Sequence, residues 1–370
     1  MNFNNKKVLI APLDWGLGHA TRCIPMVKAF LKLGWEAIIA TDGAGEHLLK
    51  QEFPQLHFLK LKGYNVEYSA NKLTLPLKIA VQVPKILSAI KYEQKWLQKI
   101  IDQYNINLVI SDNRYGLYTE KVPCIFLTHQ LQIQVPYKWM ERKVRQLNFK
   151  YISRFTECWV PDAEENSLAG ALSHFDELHP FPIKYIGPLS RFKKQMAALR
   201  YKYAFVISGP EPQRTLLEKL ILKDINQLKD DVLIVRGKPG DNETLSVPAN
   251  VTVVNHLNGA DLEKALNGAE YIISRSGYTT VMEIAALQKQ AVFIPTPGQT
   301  EQEYLAAYLM KQGLAYSTAQ SNFNIVKTLQ EAASFQFKPF AVTPNMLDAI
   351  INDFLSQYFR TETQSSFAAS

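Results

Sequence analysis

The stretch "AEYIISRSGYTTVMEIAALQKQAVFIPTPGQTEQEYLAAYLMKQG", Ala269 to Gly313, carries an apolar run, a glycine turn, a helical stretch and a second apolar run, in that order. Tyr271–Ser274 reads as a buried strand, Arg275-Ser276-Gly277 as a turn, and Tyr278 to Thr280 as the opening of a helix. Unpaired N–H groups at a helix start, next to the hydroxyls of Thr279 and Thr280, form a ready site for an anion. Glu283, about one turn further on, is placed to accept hydrogen bonds from ribose hydroxyls. The next strand, Ala291–Pro295, leads into "TPGQTEQ", where the amides of Gln299 and Gln302 both donate and accept, as sugar hydroxyls require. Strand, phosphate turn, ribose acid and sugar amides thus follow the order a nucleotide-sugar would need. The plainer reading is a βαβ unit with incidental polar residues.

Outward from this block, short apolar strand signals alternate with helix signals along most of the chain: Lys7–Ala11, a helix over Arg22–Leu33 ended by Gly34, Glu36–Thr41, Leu108–Ser111, Cys124–Thr128, Glu157–Val160 and Tyr185–Gly187. A basic, polar stretch, Lys193–Lys202, reads as a linker. The alternation then restarts with Ala204–Ser208, Gln213–Leu220, Asp231–Arg236 and Val251–Asn255. Such alternation implies parallel sheets flanked by helices. The expected fold class is α/β, with two Rossmann-like domains facing a central cleft. The expected limits are 1–190 for an N-terminal acceptor domain and 203–340 for a C-terminal nucleotide-sugar domain. A helix within 341–359 would pack back towards the first domain, and 360–370 would be a frayed tail.

The first half opens with "DWGLGHATRC", Asp14 to Cys23, where a first strand should turn into a first helix. Gly16 and Gly18 clear space for a ligand, and His19, with a reference pKa of about 6.5, suits a general base. A dinucleotide site is an alternative, with Asp42 as its ribose acid, although Thr21 stands where the fingerprint has a third small residue. A glycine turn with a capping histidine is the plain alternative. Two further loops should reach the cleft: "VISDNRYG" brings Asp112 and Asn113, and "FLTHQLQ" brings His129 and Gln130. These four are the candidate acceptor-binding residues. Asp112 or His129 could instead assist His19, or be ordinary strand-end polar groups.

At 370 residues the chain is long enough for two cores, and 47% hydrophobic with 20% charged residues is an ordinary globular composition. No run approaches the roughly 18 apolar residues of a spanning helix, and the polar start shows no signal peptide. Cys23, Cys124 and Cys158 show neither zinc nor disulfide spacing, which fits a reducing cytoplasm. Cys23 as a nucleophile is the lesser reading. The seven histidines show no HExxH pattern and no two aspartates flank a single residue, so no metal site is expected. The formal charge of +7 favours anionic partners. It gathers in Lys72–Lys99 and Lys138–Arg154, which interleave lysine and arginine with leucine, isoleucine and tryptophan. Either an anionic membrane face or a solvated basic helix face fits them. No nucleic-acid motif accompanies the charge.

"RSGYTTVMEIAALQKQAVFIP" resembles the donor motif of GT-B glycosyltransferases of the family 28 type, a group that includes N-acetylglucosamine and diacylglycerol glycosyltransferases. The resemblance implies that the turn at Arg275, Ser276, Gly277, Tyr278, Thr279 and Thr280 meets the diphosphate of a UDP-sugar. It also implies that Glu283 holds the ribose and that Gln302, with Gln299, reads the sugar. "VVNHLNG" resembles the uracil-binding loop, placing the base near His256 and Leu257. "VISGPEPQRT" matches the start of the family's glycine-rich loop with Ser208 and Gly209. It departs from the family at Pro210, Glu211 and Pro212, and Arg214 would offset the added charge. Leu305 stands where the family has an asparagine.

The implied activity is transfer of a sugar from a UDP-sugar to a hydroxyl of a lipid or glycan, with inversion and with no metal or other cofactor. Partners would be the nucleotide-sugar, the acceptor and an anionic membrane surface at the inner face, with no nucleic acid. A nucleotide-sugar epimerase of the same architecture is the alternative, and a non-catalytic nucleotide-sugar sensor is a third reading.

Overall fold

The computed structural model describes residues 6–14, 16–64, 75–134, 138–174, 179–341 and 346–359, with backbone only at 75–83, 138 and 139. Among these residues the chain builds two sheets. The first holds β1 (Lys7–Pro12), β2 (Glu36–Thr41), β3 (His57–Lys60), β4 (Leu108–Asp112), β5 (Cys124–Leu127), β6 (Glu157–Val160) and β7 (Ile183–Tyr185). Its order is β3-β2-β1-β4-β5-β6-β7, parallel throughout. The second holds β8 (Tyr201–Val206), β9 (Val232–Val235), β10 (Val251–Val254), β11 (Ala269–Ser274), β12 (Gln290–Phe293) and β13 (Tyr316–Ser317). Its order is β10-β9-β8-β11-β12-β13, again parallel. The helices are α1 (Leu17–Lys32), α2 (Gly43–Glu52), α3 (Leu75–Tyr104), α4 (Lys138–Ile152), α5 (Gln213–Lys223), α6 (Gly259–Asn267), α7 (Tyr278–Leu287), α8 (Thr300–Gln312), α9 (Ile325–Ser334) and α10 (Leu347–Tyr358).

The strand sequences explain the layering. β4 and β5 are apolar runs buried along their whole length, as strands covered by helices on both faces must be. In each sheet the order reverses at the first strand, between β1 and β4 and between β8 and β11, so strand C-terminal ends open a crevice there. One apolar cluster runs through both lobes, from Ile10 and Phe30 to Met282 and Leu309. α10 lies on the first lobe: Lys32 Nζ reaches Asp348 at 2.8 Å, and Phe354 and Phe359 pack edge-on against Trp159 and Trp35.

Several elements differ from expectation for local reasons. α1 begins at Leu17, not Arg22, because Gly16 (φ 80°) turns the chain early, and this puts His19 in the first turn of the helix. β12 ends at Phe293, before Pro295, which has no N–H for the ladder. β3 and β13 are short, partly exposed edge strands with weak sequence signals. From Leu75 in the first and Lys138 in the second, the two basic stretches fold as the helices α3 and α4; their interspersed lysines and arginines blur the apolar period, and 72–74 lie outside the described residues. Residues 65–74 of the first stretch's approach, residues 342–345 before α10, and the tail 360–370 lie outside the described residues.

Candidate active site

Two strand–turn–helix units meet across the crevice. β1 leads through Gly16 into α1, and β11 leads through Gly277 into α7; neither helix start has a side-chain cap. A methyl group added at Gly16 or Gly277 would meet no atom within 4 Å, so both glycines look onto open space. Thr279 Oγ1 donates to the Gly18 carbonyl at 3.1 Å, which pins the two helix starts together. Among the described residues no acceptor takes the backbone N–H of Tyr278, Thr279 or Thr280. Each helix start carries roughly half a positive charge, so this space favours an anion.

The N-terminal wall handles protons. His19 lies with its Nδ1 3.1 Å from Asp112 Oδ1 and 2.9 Å from Arg22 Nη2. A protonated Nδ1 donates to Asp112 and leaves a lone pair on Nε2; an unprotonated Nδ1 accepts from Arg22 and moves the proton to Nε2. Arg22 grips Asp112 side-on, with Nε to Oδ2 at 2.9 Å and Nη2 to Oδ1. Burial alone would raise the Asp112 carboxyl, but Arg22 and then His19 outweigh it and hold the group well below the usual carboxylate range. Burial lowers the His19 pKa; Asp112 opposes that shift and Arg22 adds to it. The imidazole is therefore neutral at pH 7, as a base must be.

Arg22 also donates from Nη1 to His129 Nδ1 at 3.0 Å. Since arginine only donates, His129 carries its proton on Nε2, which faces Glu301 Oε1 at 2.9 Å. The His129 ring stacks on Tyr278 with centroids 4.2 Å apart, and Tyr278 Oη donates to the Pro161 carbonyl at 2.9 Å. Gln130 Nε2 donates to the other oxygen of Glu301.

Placement of the remaining sequence candidates is uneven. Asp112 and His129, expected as acceptor contacts, are 0% and 4% exposed and serve instead as partners of His19 and Arg22. Asn113 is half-buried at φ 58° and closes the loop after β4. Glu283 is buried, and its Oε1 receives Arg191 Nε at 2.8 Å; burial raises its pKa and Arg191 opposes the shift. Arg275 is held within its own lobe by the carbonyls of Ile294, Pro295 and Gln213 and by Gln320 Oε1; burial pushes it down to about 10. Ser276 Oγ donates to the Gln302 carbonyl at 2.8 Å. Gln302 Oε1 accepts from Thr296 N at 2.9 Å while its Nε2 meets Gln299, so both amides hold the loop before α8. Ser208, Gly209 and His256 are exposed and Leu257 is half-buried, all after strand ends of the second sheet. Arg214 pairs with Glu211, as its position suggested.

The alternatives fare differently. Asp42 caps α2 by accepting from Gly43 N at 2.9 Å, and Thr21 Oγ1 donates to Leu17 O, so each has a partner in its own helix. Burial raises the Cys23 thiol well above its ordinary value, which leaves it protonated. Among the described residues no three metal-ligating side chains converge. Sequence reading passed over Arg22, Arg191 and Glu301. The spacing of His19 and Arg22, three apart on one helix, was the available signal for the first. The other two are visible only once the lobes meet.

This architecture has known counterparts. Residues 203–356 match the glycosyltransferase family 28 C-terminal domain. A UDP-N-acetylglucosamine–N-acetylmuramyl-(pentapeptide) pyrophosphoryl-undecaprenol N-acetylglucosamine transferase of Buchnera aphidicola subsp. Schizaphis graminum is 24% identical over 88% of this chain and 89% of its own. MurG of Acinetobacter baumannii superposes with a TM-score of 0.53 at 14% identity, covering 95% of each chain. The spinosyn rhamnosyltransferase SpnG superposes with a TM-score of 0.63 at 13% identity, covering 95% of this chain and 96% of that one. The fold is GT-B, and the protein is a glycosyltransferase with a stretch similar to the family 28 C-terminal domain. The epimerase alternative finds no support among these relatives.

Proposed function

We propose that the protein transfers a sugar from a UDP-sugar to a hydroxyl of a lipid-linked acceptor, with inversion and without metal. One observation carries this reading: the uncapped start of α7 and the His19–Arg22–Asp112 cluster face each other across one crevice. The diphosphate would sit on the N–H groups of Tyr278 to Thr280, with Glu283 at the ribose and the base near His256 and Leu257. The acceptor would enter past Gly16 and Asn113. His19 Nε2 takes the hydroxyl proton as the acceptor oxygen bonds to the anomeric carbon. The bond from that carbon to phosphate breaks, its electron pair leaves with UDP, and the α7 amides steady the new charge. Holding both substrates in one crevice supplies much of the rate.

A peripheral place at the inner membrane face is part of the proposal. No helix among the described residues is long and apolar enough to cross a membrane. α4 exposes Arg142, Lys143 and Lys150 around Leu147, itself 53% exposed, a face suited to anionic headgroups. The reaction is tested by supplying UDP-N-acetylglucosamine with and without an undecaprenyl-linked hydroxyl acceptor, with and without chelator. Donor consumption that requires the acceptor and survives chelation is expected. An altered sugar without acceptor would favour epimerisation, and binding without turnover across an acceptor panel would favour a sensor.

A further inference from the structure

The buried polar chain of the first lobe does not end in that lobe. Asp112, Arg22 and His129 come from β4, α1 and the loop after β5, but the last group, Glu301, stands at the start of α8 in the second lobe. The continuous path runs from Glu301 to His129 Nε2 at 2.9 Å, from His129 Nδ1 to Arg22 at 3.0 Å, from Arg22 Nε to Asp112 Oδ2 at 2.9 Å, and from Asp112 Oδ1 to His19 Nδ1 at 3.1 Å. We propose that Glu301 is a cross-lobe positioning residue: by accepting from His129 Nε2 it fixes that ring's tautomer, and through Arg22 and then Asp112, which accepts from His19 Nδ1, it sets His19 as the base of the assembled crevice. The activity arm of this inference rests on the sugar-transfer reading; the structural arm does not.

Proton placement gives the reason. If His129 turned its proton to Nδ1, two donors would face each other at Arg22 and the chain would break. Glu301, itself anchored by Gln130, removes that option. Charge gives a second reason. With both histidines neutral, Arg22 is outnumbered by Asp112 and Glu301, so the closed cluster carries one net negative charge. A proton taken up by His19 from an acceptor neutralises it. The other titratable groups around this cluster do not replace Glu301. Cys23, 3.7 Å from Asp112, is a protonated thiol; Tyr278, stacked on His129, is held neutral by burial; and Asp162 lies behind Tyr278, bound to the amides of Ala163, Leu168 and Ala169. Glu301 belongs to the other lobe, so the base is complete only while the lobes are seated. Gln302, beside it, belongs to the proposed sugar-reading loop, which ties the donor side to the base.

The test uses the full chain with nitrogen-15-labelled histidine, followed by long-range proton–nitrogen correlation through the histidine titration range. In the wild type, His129 should show a protonated Nε2 and a bare Nδ1. Glu301→Gln keeps an acceptor and loses the charge, so the His19 pKa should fall by roughly half a unit or more while His129 keeps its tautomer. Glu301→Leu should lower the His19 pKa and also release the His129 tautomer. Tyr304→Phe, which removes another cross-lobe hydrogen bond (to Ala171 N, 2.7 Å), should change neither. In the transfer assay, Glu301→Gln should lower kcat by roughly two- to threefold and move the acid limb to lower pH, since a weaker base accepts the proton less readily. A wild-type His129 protonated on Nδ1 would overturn the inference, and so would a His19 titration unmoved in both Glu301 variants. Should Glu301→Leu fail to fold, Glu301→Gln alone decides through the His19 titration. Shifted titrations together with a chain inert towards every acceptor would sink the sugar-transfer reading and leave the positioning role standing.

Discussion

The turn from β1 into α1 and the turn from β11 into α7 are built alike and equipped differently. Each follows a buried parallel strand, each uses glycine as an uncapped helix start, and they touch through Thr279 and Gly18. The α1 turn is followed by His19 and Arg22, backed by Asp112, and these can hold or pass a proton. The first turn of α7 has no ionisable group other than a buried tyrosine; it offers amides and hydroxyls to an anion, with Glu283 further along. A glycine cap costs a helix roughly a few tenths of a kcal/mol relative to serine or aspartate and leaves the first N–H groups to another acceptor. Two empty caps facing one open space mark where the two halves of a reaction meet, and the side chains decide which half each one serves.

That division of labour can be broken from either side. The largest effect is expected on the α1 side: His19→Ala should lower kcat on the order of 100-fold or more while leaving UDP affinity intact, as steady-state kinetics and a UDP titration would show. Unchanged turnover would remove His19 from the chemistry. Asp112→Asn strips the carboxylate from a buried arginine and should lower stability by about 3–5 kcal/mol in urea denaturation. A loss near zero would mean that Arg22 is solvated and the cluster loose. A smaller effect sharpens the contrast through pH. Activity requires unprotonated His19, so kcat/KM should fall as pH drops through a pKa that burial holds below the usual value of about 6.5. More than half of the plateau rate should therefore remain at about pH 6.5, and the limb should be absent in His19→Ala.

The sequence made one side of this comparison more legible than the other. The α7 turn could be read locally, because strand, glycine, hydroxyls and Glu283 follow one another within one short stretch. His19 and its glycines were also visible, since they too are neighbours in the chain. What escaped was whatever depends on distant segments meeting. Arg22 gains its meaning from Asp112 and His129, about a hundred residues away, and Glu301 and Arg191 gain theirs from the opposite lobe. Arg275 shows the converse: within the motif it reads as a diphosphate contact, while its guanidinium is held by carbonyls from two other segments, Ile294-Pro295 and Gln213. The α1 start was misplaced because helix periodicity begins only after the glycines that the crevice requires.

The central claim is that a nucleoside diphosphate rests on the uncapped start of α7, and calorimetric titration of UDP into wild type and Gly277→Val tests it most directly. Gly277 has φ −66° and ψ 141°, values a valine adopts freely, and open space lies in front of it, so the variant should fold with an unchanged melting temperature. UDP should bind it roughly tenfold or more weakly, about 1.4 kcal/mol, because the new side chain occupies the diphosphate's place. Equal UDP affinity in a fully folded Gly277→Val protein would contradict the claim.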